Sequence, residues 1–324
     1  MHAPALPPDA AILRALFAAR DSYVSGSALA EQLGVTRAAV WKRMESLQEI
    51  GYPILSQPHS GYRLDEALPD ILCADEIIAR LPATRIPWRP VVFAETQSTN
   101  DLANREAHIG HPQGLCIAAD RQTKGRGRRG RSWHARAGDS LLASVLLRPG
   151  WPLTQVARLT IVASLAIAEA AESLVPARID IKWPNDLFHD GRKLGGILTE
   201  ISADAETIGA AVVGFGVNCR QLPSDFPEEL RAKATSLCQL AGGSVRRADL
   251  LLAILTRLDA WIAAPFEEAR EAWARRCLSL GRLVSVETAS GPRQGQALGL
   301  DENGALLLRG ENGRVEAITA GDIA

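Results

Sequence analysis

The side chains best suited to chemistry are concentrated in one short segment rich in arginine and glycine. Residues 121–136 contain seven basic side chains and no acidic one, in a chain whose formal net charge is -1. Glycines let a ligand approach the backbone closely, and backbone N–H groups together with guanidinium groups suit a polyphosphate. Taken alone, the same composition also fits a solvated basic loop or an RNA-contacting Arg-Gly segment.

Two common phosphate-binding patterns do not fit this segment. Gly125, Gly127 and Gly130 match G-x-G-x-x-G, but the residues that follow do not begin an apolar helix. The acidic residue expected about 20 positions later is also missing. No Gly-Lys-Ser/Thr occurs in the chain, which excludes the phosphate loop of the P-loop nucleotidases.

Three further motifs accompany the glycine loop in chain order. They are Ser98-Thr99-Asn100, which opens a predicted helix, KWPND at 182–186, which ends a predicted strand, and RKLGG at 192–196, which opens the next. With GRGRRGRSW at 125–133, these motifs resemble those of the biotin protein ligases. The resemblance covers roughly residues 91–218. The flanking segments extend it to the bifunctional type, which is both ligase and repressor of biotin synthesis.

This resemblance implies a two-step reaction with ATP and biotin as substrates and Mg²⁺ as cofactor. The biotin carboxylate attacks the α-phosphorus, which gives biotinyl-5′-adenylate and pyrophosphate. A lysine of the biotin carboxyl carrier protein of acetyl-CoA carboxylase then attacks the activated carbonyl, and AMP leaves. No covalent enzyme intermediate is needed, and no Ser-His-Asp arrangement or G-x-S-x-G motif is visible.

The resemblance also assigns roles to individual residues. Those expected to bind biotin are Ser98, Thr99, Asn100, Gln122, Arg126, Gly127, Arg128, Trp133, Lys193, Gly196 and Gly214. Those expected to bind ATP are Arg128, Arg129, Arg131, Lys182, Asn185 and Asn218. The catalytic set is Lys193, Arg128, Lys182 and Asp186, with Asp186 also the candidate Mg²⁺ ligand. Ordinary structural roles remain open, such as a helix cap at Ser98 and core packing of Trp133.

The first 65 residues predict a winged helix-turn-helix. The predicted elements are a helix at 10–20, a second helix capped by Ser27 and ending at Leu33, a third helix capped by Thr36, and two short strands. The expected DNA-binding residues are Ser25, Thr36, Arg37, Trp41, Lys42 and Arg43. Six basic and six acidic residues in this segment predict modest, dimer-dependent DNA affinity. A purely structural helix-turn-helix is the alternative.

Residues 66–278 predict a mixed α/β catalytic domain. Strands are expected at 91–95, 114–119, 140–147, 179–183, 194–201 and 207–217, and helices at 74–81, 99–106, 154–175, 247–263 and 266–278. The Asp190-Gly191 pair predicts a hairpin between the strands at 179–183 and 194–201. The helix at 154–175 has an uncharged core of only ten residues, so we expect it to be buried rather than membrane-spanning.

Residues 279–324 predict a small SH3-like β-barrel with strands at 283–288, 294–300, 305–308 and 314–319. The expected fold class is therefore α+β and multidomain: a winged helix-turn-helix, a mixed α/β ligase domain and this barrel. Asn303-Gly304 and Asn312-Gly313 provide the strongest hairpin signals in the segment.

The composition supports a cytoplasmic enzyme without a membrane partner. The five cysteines contain no C-x-x-C, which argues against a disulfide framework or a zinc finger, and the first nine residues do not resemble a signal peptide. Three functions are compatible with the chain: a biotin ligase and repressor, a ligase for another carrier-bound acid such as lipoate, and a non-enzymatic ligand sensor. The intact basic loop favours the first. The expected partners are the carrier protein, operator DNA and, in the adenylate-bound state, a second copy of the chain.

Overall fold

The computed structural model describes residues 6–20, 22–203 and 206–323. The chain divides into two compact units, of which the first runs to Ala83 and also takes in Arg246–Leu252. The second comprises Thr84–Val245 and Ala253–Ala324. The first unit thus extends past the boundary predicted at residue 65, and the boundary predicted at residue 278 lies inside the second unit.

The first unit is a winged helix-turn-helix followed by one further helix. Its elements are α1 (Pro8–Ala19), α2 (Gly26–Leu33), α3 (Arg37–Glu49), β1 (Ile54–Gln57), β2 (Gly61–Leu64) and α4 (Ala74–Arg80). The strands β1 and β2 pair in antiparallel register and form the wing. The helix and strand types predicted for this segment are therefore confirmed.

Side-chain oxygens begin the second and third helices. Thr36 Oγ1 accepts the backbone N–H of Ala39 at 3.2 Å, as predicted. The cap of α2 is Ser25 and not Ser27, because Ser25 has the extended backbone of a cap residue and accepts from the N–H of Ser27 and of Ala28. Ser27 already lies in the first helical turn.

Residues 66–83 belong to the first unit because α4 joins its core. Ala79 is buried in the same apolar cluster as Leu16, Val40 and Met44. The fully buried Glu76 carboxylate accepts hydrogen bonds from Tyr52 Oη at 2.7 Å and from the guanidinium of Arg246 at 2.8 and 2.9 Å. Burial raises the pKa of Tyr52, with a further contribution from the Glu76 carboxylate, so the phenol stays protonated.

A seven-stranded sheet forms the centre of the second unit. Its strands are β3 (Arg89–Thr96), β4 (Leu115–Gln122), β5 (Ser140–Leu147), β6 (Asp180–Lys182), β7 (Asp186–His189), β8 (Arg192–Ala203) and β9 (Ile208–Asn218). The spatial order is β3-β4-β5-β9-β8-β7-β6. The strands β3 and β4 run parallel, whereas the other neighbouring pairs are antiparallel.

The strand β7 corrects the predicted hairpin. The Asp190-Gly191 turn joins β7 to β8, whereas β6 reaches β7 through the turn at Trp183–Asn185. The strand β7 has little local sequence signal, because it is four residues long and begins two positions after the proline of that turn.

Five helices complete the second unit, one of them shared with the first. They are α5 (Thr99–His108), α6 (Val156–Glu172), α7 (Leu237–Ala241), α8 (Arg247–Ala263) and α9 (Phe266–Ala274). The start of α8 belongs to the first unit. The helices α6 and α9 end three and four residues earlier than predicted, at Glu172 and Ala274. The short α7 was not predicted.

Within the described residues, Leu153–Glu172 is a helical segment long and apolar enough to cross a membrane. Its apolar side chains are instead largely buried in the domain, including Leu159, Leu165 and Ala168. The hydroxyl of Thr160 lies 2.8 Å from that of Thr199 on β8, so α6 packs against the sheet. The prediction of a buried helix is confirmed.

The C-terminal segment forms a separate five-stranded antiparallel sheet. Its strands are β10 (Leu283–Thr288), β11 (Gly291–Leu300), β12 (Leu306–Arg309), β13 (Val315–Ile318) and β14 (Asp322–Ile323). The order is β13-β12-β11-β10-β14, which places β13 and β14 at opposite ends. The two-residue strand β14 was not predicted, because so short a strand has no detectable alternation.

We expect Thr36→Ala to destabilise α3 by about 1 kcal/mol, because an N–H at the helix start loses its acceptor. In the full chain, hydrogen exchange of peptides covering α3 should accelerate about fivefold. Ser46→Ala is the matched control, because this hydroxyl donates to the Lys42 carbonyl of its own helix and caps no helix start. Equal acceleration in both variants would contradict the capping role.

Candidate functional site

A cavity of about 560 Å³ opens on the central sheet of the second unit. It is lined by residues from all four sequence motifs, although these lie far apart in the chain. The predicted site residues at its wall are Ser98, Thr99, Asn100, Gln122, Arg126, Gly127, Arg128, Arg131, Trp133, Lys182, Asn185, Asp186, Lys193, Gly196, Gly214 and Asn218. Of the residues predicted for biotin and ATP, only Arg129 is outside this lining.

Strand register arranges the floor of the cavity in successive rows. Ser144, Gly214 and Leu198 are directly paired across β5, β9 and β8. The next row on the same face consists of Leu142, Gly216, Gly196 and Asp186, and a third contains Ser140 and Asn218. Rows two residues apart are separated by about 7 Å, so the three rows span roughly 14 Å.

Uncharged polar groups are concentrated at the first row. Gln122 Oε1 accepts both the backbone N–H of Thr99 at 2.7 Å and its hydroxyl at 3.0 Å. The buried Ser144 hydroxyl lies 2.7 Å from Thr99 Oγ1 and 2.6 Å from Asn100 Oδ1. Gly214 provides the space for Asn100, because a Cβ at this position would overlap the amide. These groups suit a compact polar ring that both donates and accepts hydrogen bonds.

A lysine and a carboxylate mark the second row. Lys193 Nζ lies 2.7 Å from Asp186 Oδ1 and 6.0 Å from the centre of the Trp133 ring. The backbone of Lys193 is fixed by hydrogen bonds with Lys233 and Thr235. Gly216 gives Trp133 its place, since a Cβ would come within 2.6 Å of the indole. A positioned ammonium group here stabilises negative charge that develops in the cavity.

Three arginines of the glycine loop converge on one carboxylate from the C-terminal sheet. Asp322 lies 3.2 Å from Arg128, 3.1 Å from Arg129 and 3.9 Å from Arg131. Arg129 also donates to the carbonyl of Glu287. Burial lowers the pKa of Arg128, whereas the neighbouring Asp322 raises it. Asp322 therefore offsets part of the cost of holding several cations beside a cavity.

The backbone conformation of Arg129 keeps its side chain out of the cavity lining. This residue has a left-handed conformation with φ 53°, which turns its side chain toward Asp322 and Glu287. Its predicted contact with ATP has no support in this arrangement.

Arg126 is held by acidic partners of its own. Its guanidinium donates to both carboxylate oxygens of Asp101, at 2.9 and 2.6 Å, and lies 3.3 Å from Glu200. Hydrogen bonding to Asp101 raises the pKa of Arg126. Arg126 therefore borders the cavity as a fixed, fully charged group.

Asn185 of the KWPND motif and Asn218 of β9 have structural partners. Asn185 Nδ2 donates to the Ile197 carbonyl, and Asn218 Nδ2 donates to the Thr235 carbonyl. Their amides fix the turn after β6 and the loop after β9, as turn-forming side chains do. Both still line the cavity, so structural and binding roles are compatible.

In the first unit, the residues predicted to bind DNA fall into three groups. Arg37, Trp41 and Lys42 are exposed on α3, with Trp41 55% exposed. Ser25 and Thr36 cap helices. Arg43 is paired with Asp9 at 2.7 Å, so its charge is already partly compensated.

Sequence reasoning missed four groups that shape this site. Ser144 had a detectable signal, because it is a polar residue inside the apolar strand β5. Asp322, Glu200 and Lys233 had none, because each reaches the site through long-range packing.

Comparison with known proteins agrees with these motifs. Three family models match: the biotin/lipoate A/B protein ligase family at residues 92–218, a helix-turn-helix domain at 10–63, and the biotin protein ligase C-terminal domain at 279–324. The chain is 35% identical over 310 residues to the bifunctional ligase/repressor BirA of Bacillus subtilis, covering 94% of each chain. It is 29% identical to BirA of Escherichia coli, again over 94% of each chain.

Two further similarities concern the ligase region. The biotin–[acetyl-CoA-carboxylase] ligase of Mycobacterium tuberculosis is 35% identical over 247 residues, which cover 73% of this chain and 89% of the relative. The structure of biotin protein ligase from Aquifex aeolicus in complex with biotin and ATP matches with a TM-score of 0.62 and 30% identity. That match covers 72% of this chain and 97% of the other.

We expect Asp322→Asn to loosen the glycine loop, because three neighbouring guanidinium groups lose their common carboxylate partner. Limited trypsin digestion should cleave after Arg128, Arg129 or Arg131 about tenfold faster than in the unsubstituted protein. Glu316→Gln is the control, since it removes the carboxylate of another pair on the same sheet, 3.7 Å from Arg293. Unchanged cleavage in the Asp322 variant would show that the loop is held by other contacts.

Proposed function

Because this chain belongs to the bifunctional ligase/repressor family of biotin protein ligases, we propose that it attaches biotin to a carrier-protein lysine and represses biotin synthesis in response to biotin. The observation that carries the enzymatic part is the convergence of four separate motifs on one cavity. That cavity presents uncharged polar groups at one row and cations at the next, in the order that an acid with a polar ring requires.

The biotin ring fits the first row of the floor. Its urea group both donates and accepts hydrogen bonds, and Thr99, Asn100 and Gln122 supply matching groups next to Gly214. Trp133 covers the second row, where the apolar part of biotin would lie. The carboxylate then reaches Lys193 and Arg128.

In the first step, the biotin carboxylate attacks the α-phosphorus of ATP and pyrophosphate leaves. Lys193 and Arg128 hold the two anions together and stabilise the charge that builds up between them. Lys182, Arg131 and Asn218 line the continuation of the cavity and would contact the nucleotide. The product is a mixed anhydride, biotinyl-5′-adenylate.

In the second step, the carrier lysine attacks the biotinyl carbonyl and AMP leaves. The attacking amine must be neutral, and Asp186 is a cavity-lining carboxylate in contact with Lys193. Asp186 would accept a hydrogen bond from the incoming amine or from Lys193. By analogy with its relatives, the acceptor would be the biotin carboxyl carrier protein of acetyl-CoA carboxylase.

The site also fits a magnesium ion brought by ATP. Among the described residues, no three His, Cys, Asp or Glu side chains are clustered as a metal cage. Magnesium is commonly held by one or two carboxylates together with substrate phosphates and water, and Asp186 provides one such carboxylate. The ion would neutralise phosphate charge.

The regulatory part depends on the helix-turn-helix in the first unit. Arg37, Trp41 and Lys42 expose basic and aromatic groups on α3, which is the expected DNA-reading helix. One module of zero net charge binds weakly, whereas two modules on a palindrome combine their contacts. We place the protein in the cytoplasm, where carrier protein and DNA are both present.

Biotin-dependent exchange of pyrophosphate into ATP is the direct test of the enzymatic function. We expect exchange with biotin and none with lipoate. Exchange with lipoate alone would favour the other carrier ligase, and the absence of exchange with either acid would favour a non-enzymatic sensor.

Lys193→Ala is expected to lower the exchange rate about a hundredfold, because a fixed cation beside the developing charge is removed. The melting temperature should remain close to that of the unsubstituted protein, since Lys193 is partly exposed. Lys42→Ala is the matched control, because it removes a lysine on α3 and should leave exchange unchanged. Near-normal exchange in Lys193→Ala would remove Lys193 from the reaction.

Biotinyl-adenylate is expected to promote dimerisation and, through it, DNA binding. The glycine loop would exchange its contacts with Asp322 for contacts with the adenylate, which gives the ligand a means to favour one loop conformation. Sedimentation with and without adenylate, followed by binding to DNA upstream of biotin-synthesis genes, measures both effects. A monomer insensitive to adenylate, with sequence-independent DNA affinity, would leave the ligase proposal intact and contradict the repressor proposal.

A further inference from the structure

Glu200 lies behind the polar row of the cavity and does not line it. Its Oε2 accepts hydrogen bonds from the side-chain amides of Asn100 and Asn104, both at 2.8 Å. Its Oε1 lies 3.3 Å from the Arg126 guanidinium. Two cavity residues, Asn100 and Arg126, therefore converge on the Glu200 carboxylate together with Asn104.

A carboxylate can only accept hydrogen bonds, so it determines which way a neighbouring amide points. Asn100 must turn its Nδ2 toward Glu200, which directs its Oδ1 toward the buried Ser144 hydroxyl. Asn100 Oδ1 cannot donate, so the single Ser144 proton is used in that 2.6 Å bond. The direction set at Glu200 is thereby transmitted to Ser144.

The same reasoning extends to Thr99. With the Ser144 proton committed, Ser144 can only accept at its 2.7 Å contact with Thr99, so the Thr99 proton is shared between Ser144 Oγ and Gln122 Oε1, the latter at 3.0 Å. Thr99 Oγ1 then keeps a lone pair for a ligand N–H. Gln122 Oε1 accepts the backbone N–H of Thr99, so Gln122 Nε2 remains as a donor. The cavity thus offers one acceptor and one donor side by side.

We propose that Glu200 is a positioning residue that sets the hydrogen-bond direction of the ring pocket through Asn100, Ser144 and Thr99, and so determines its preference for a cyclic urea. This inference rests on the proposed function. It adds a residue that the four motifs do not contain and that touches no ligand.

The test compares biotin affinity, measured by calorimetry without ATP, in the full-length protein and its variants. Glu200→Gln keeps the shape but allows the side-chain amide to donate, so the network can reverse. We expect the biotin Kd to rise about tenfold, with the ATP KM changed less than about twofold. The control is Glu95→Gln, which should leave the biotin Kd unchanged. Glu95 is an exposed carboxylate on β3 and is paired with Arg121 on β4.

Asp101→Asn separates this role from an effect on Arg126. It removes the principal partner of Arg126 and leaves the bonds of Asn100 to Glu200 intact. We expect a change in biotin Kd of less than about threefold. A loss equal to that of Glu200→Gln would show that Glu200 acts through Arg126 and would overturn the proposal.

A double substitution tests the route through Thr99. Thr99→Val removes the hydroxyl at nearly constant size, so Glu200→Gln in this background should change the biotin Kd less than about twofold. A full tenfold effect in both backgrounds would overturn the proposal. An unsubstituted protein that does not bind biotin would instead refute the proposed function itself.

Discussion

The central physical constraint in this protein is the repulsion between cations that must stay close together before any anion binds. Residues 121–136 contain seven basic groups, three of which, Arg126, Arg128 and Arg131, line a partly enclosed cavity. Like charges a few ångströms apart repel strongly where the effective dielectric is low. Carboxylates from distant parts of the chain reduce this repulsion. Asp322 lies beside the loop, Asp186 beside Lys193, and Asp101 with Glu200 beside Arg126.

The central sheet also shapes the site, through small residues on its floor and through its strand register. Glycines at 196, 214 and 216 leave room on the floor for Lys193, Asn100 and Trp133. The polar side chains then lie in rows fixed by strand register, with the uncharged polar groups at one row and the charged ones at the next. The C-terminal sheet contributes Asp322 and is therefore part of the same electrostatic unit.

Much of the fold was predictable because its signals are local. Hydrophobic periodicity located the helices, Thr36 marked a cap, and apolar runs located the longer strands. The motif residues also converge as the resemblance implied, with Arg129 as the exception. Glu200 and Asp322 were not predictable, because a carboxylate in a surface-like position carries no local sign of the cation it will meet. The strands β7 and β14 were missed for a related reason, since pairing rather than pattern defines strands of four and two residues.

The N-terminal unit is built from two separate segments of the chain, which are joined by an ion pair at the buried Glu76. Its Arg246 partner lies about 170 positions further along the chain, at the start of α8, yet belongs to the same compact unit. A fragment cut after Ala83 would retain Glu76 and its Arg80 partner but lose Arg246, which donates to both oxygens of the carboxylate. Removing one member of a buried ion pair is strongly destabilising. The winged helix and α4 therefore do not form a self-contained segment of the chain, and exchanging both between relatives would require this distant arginine to be transferred with them.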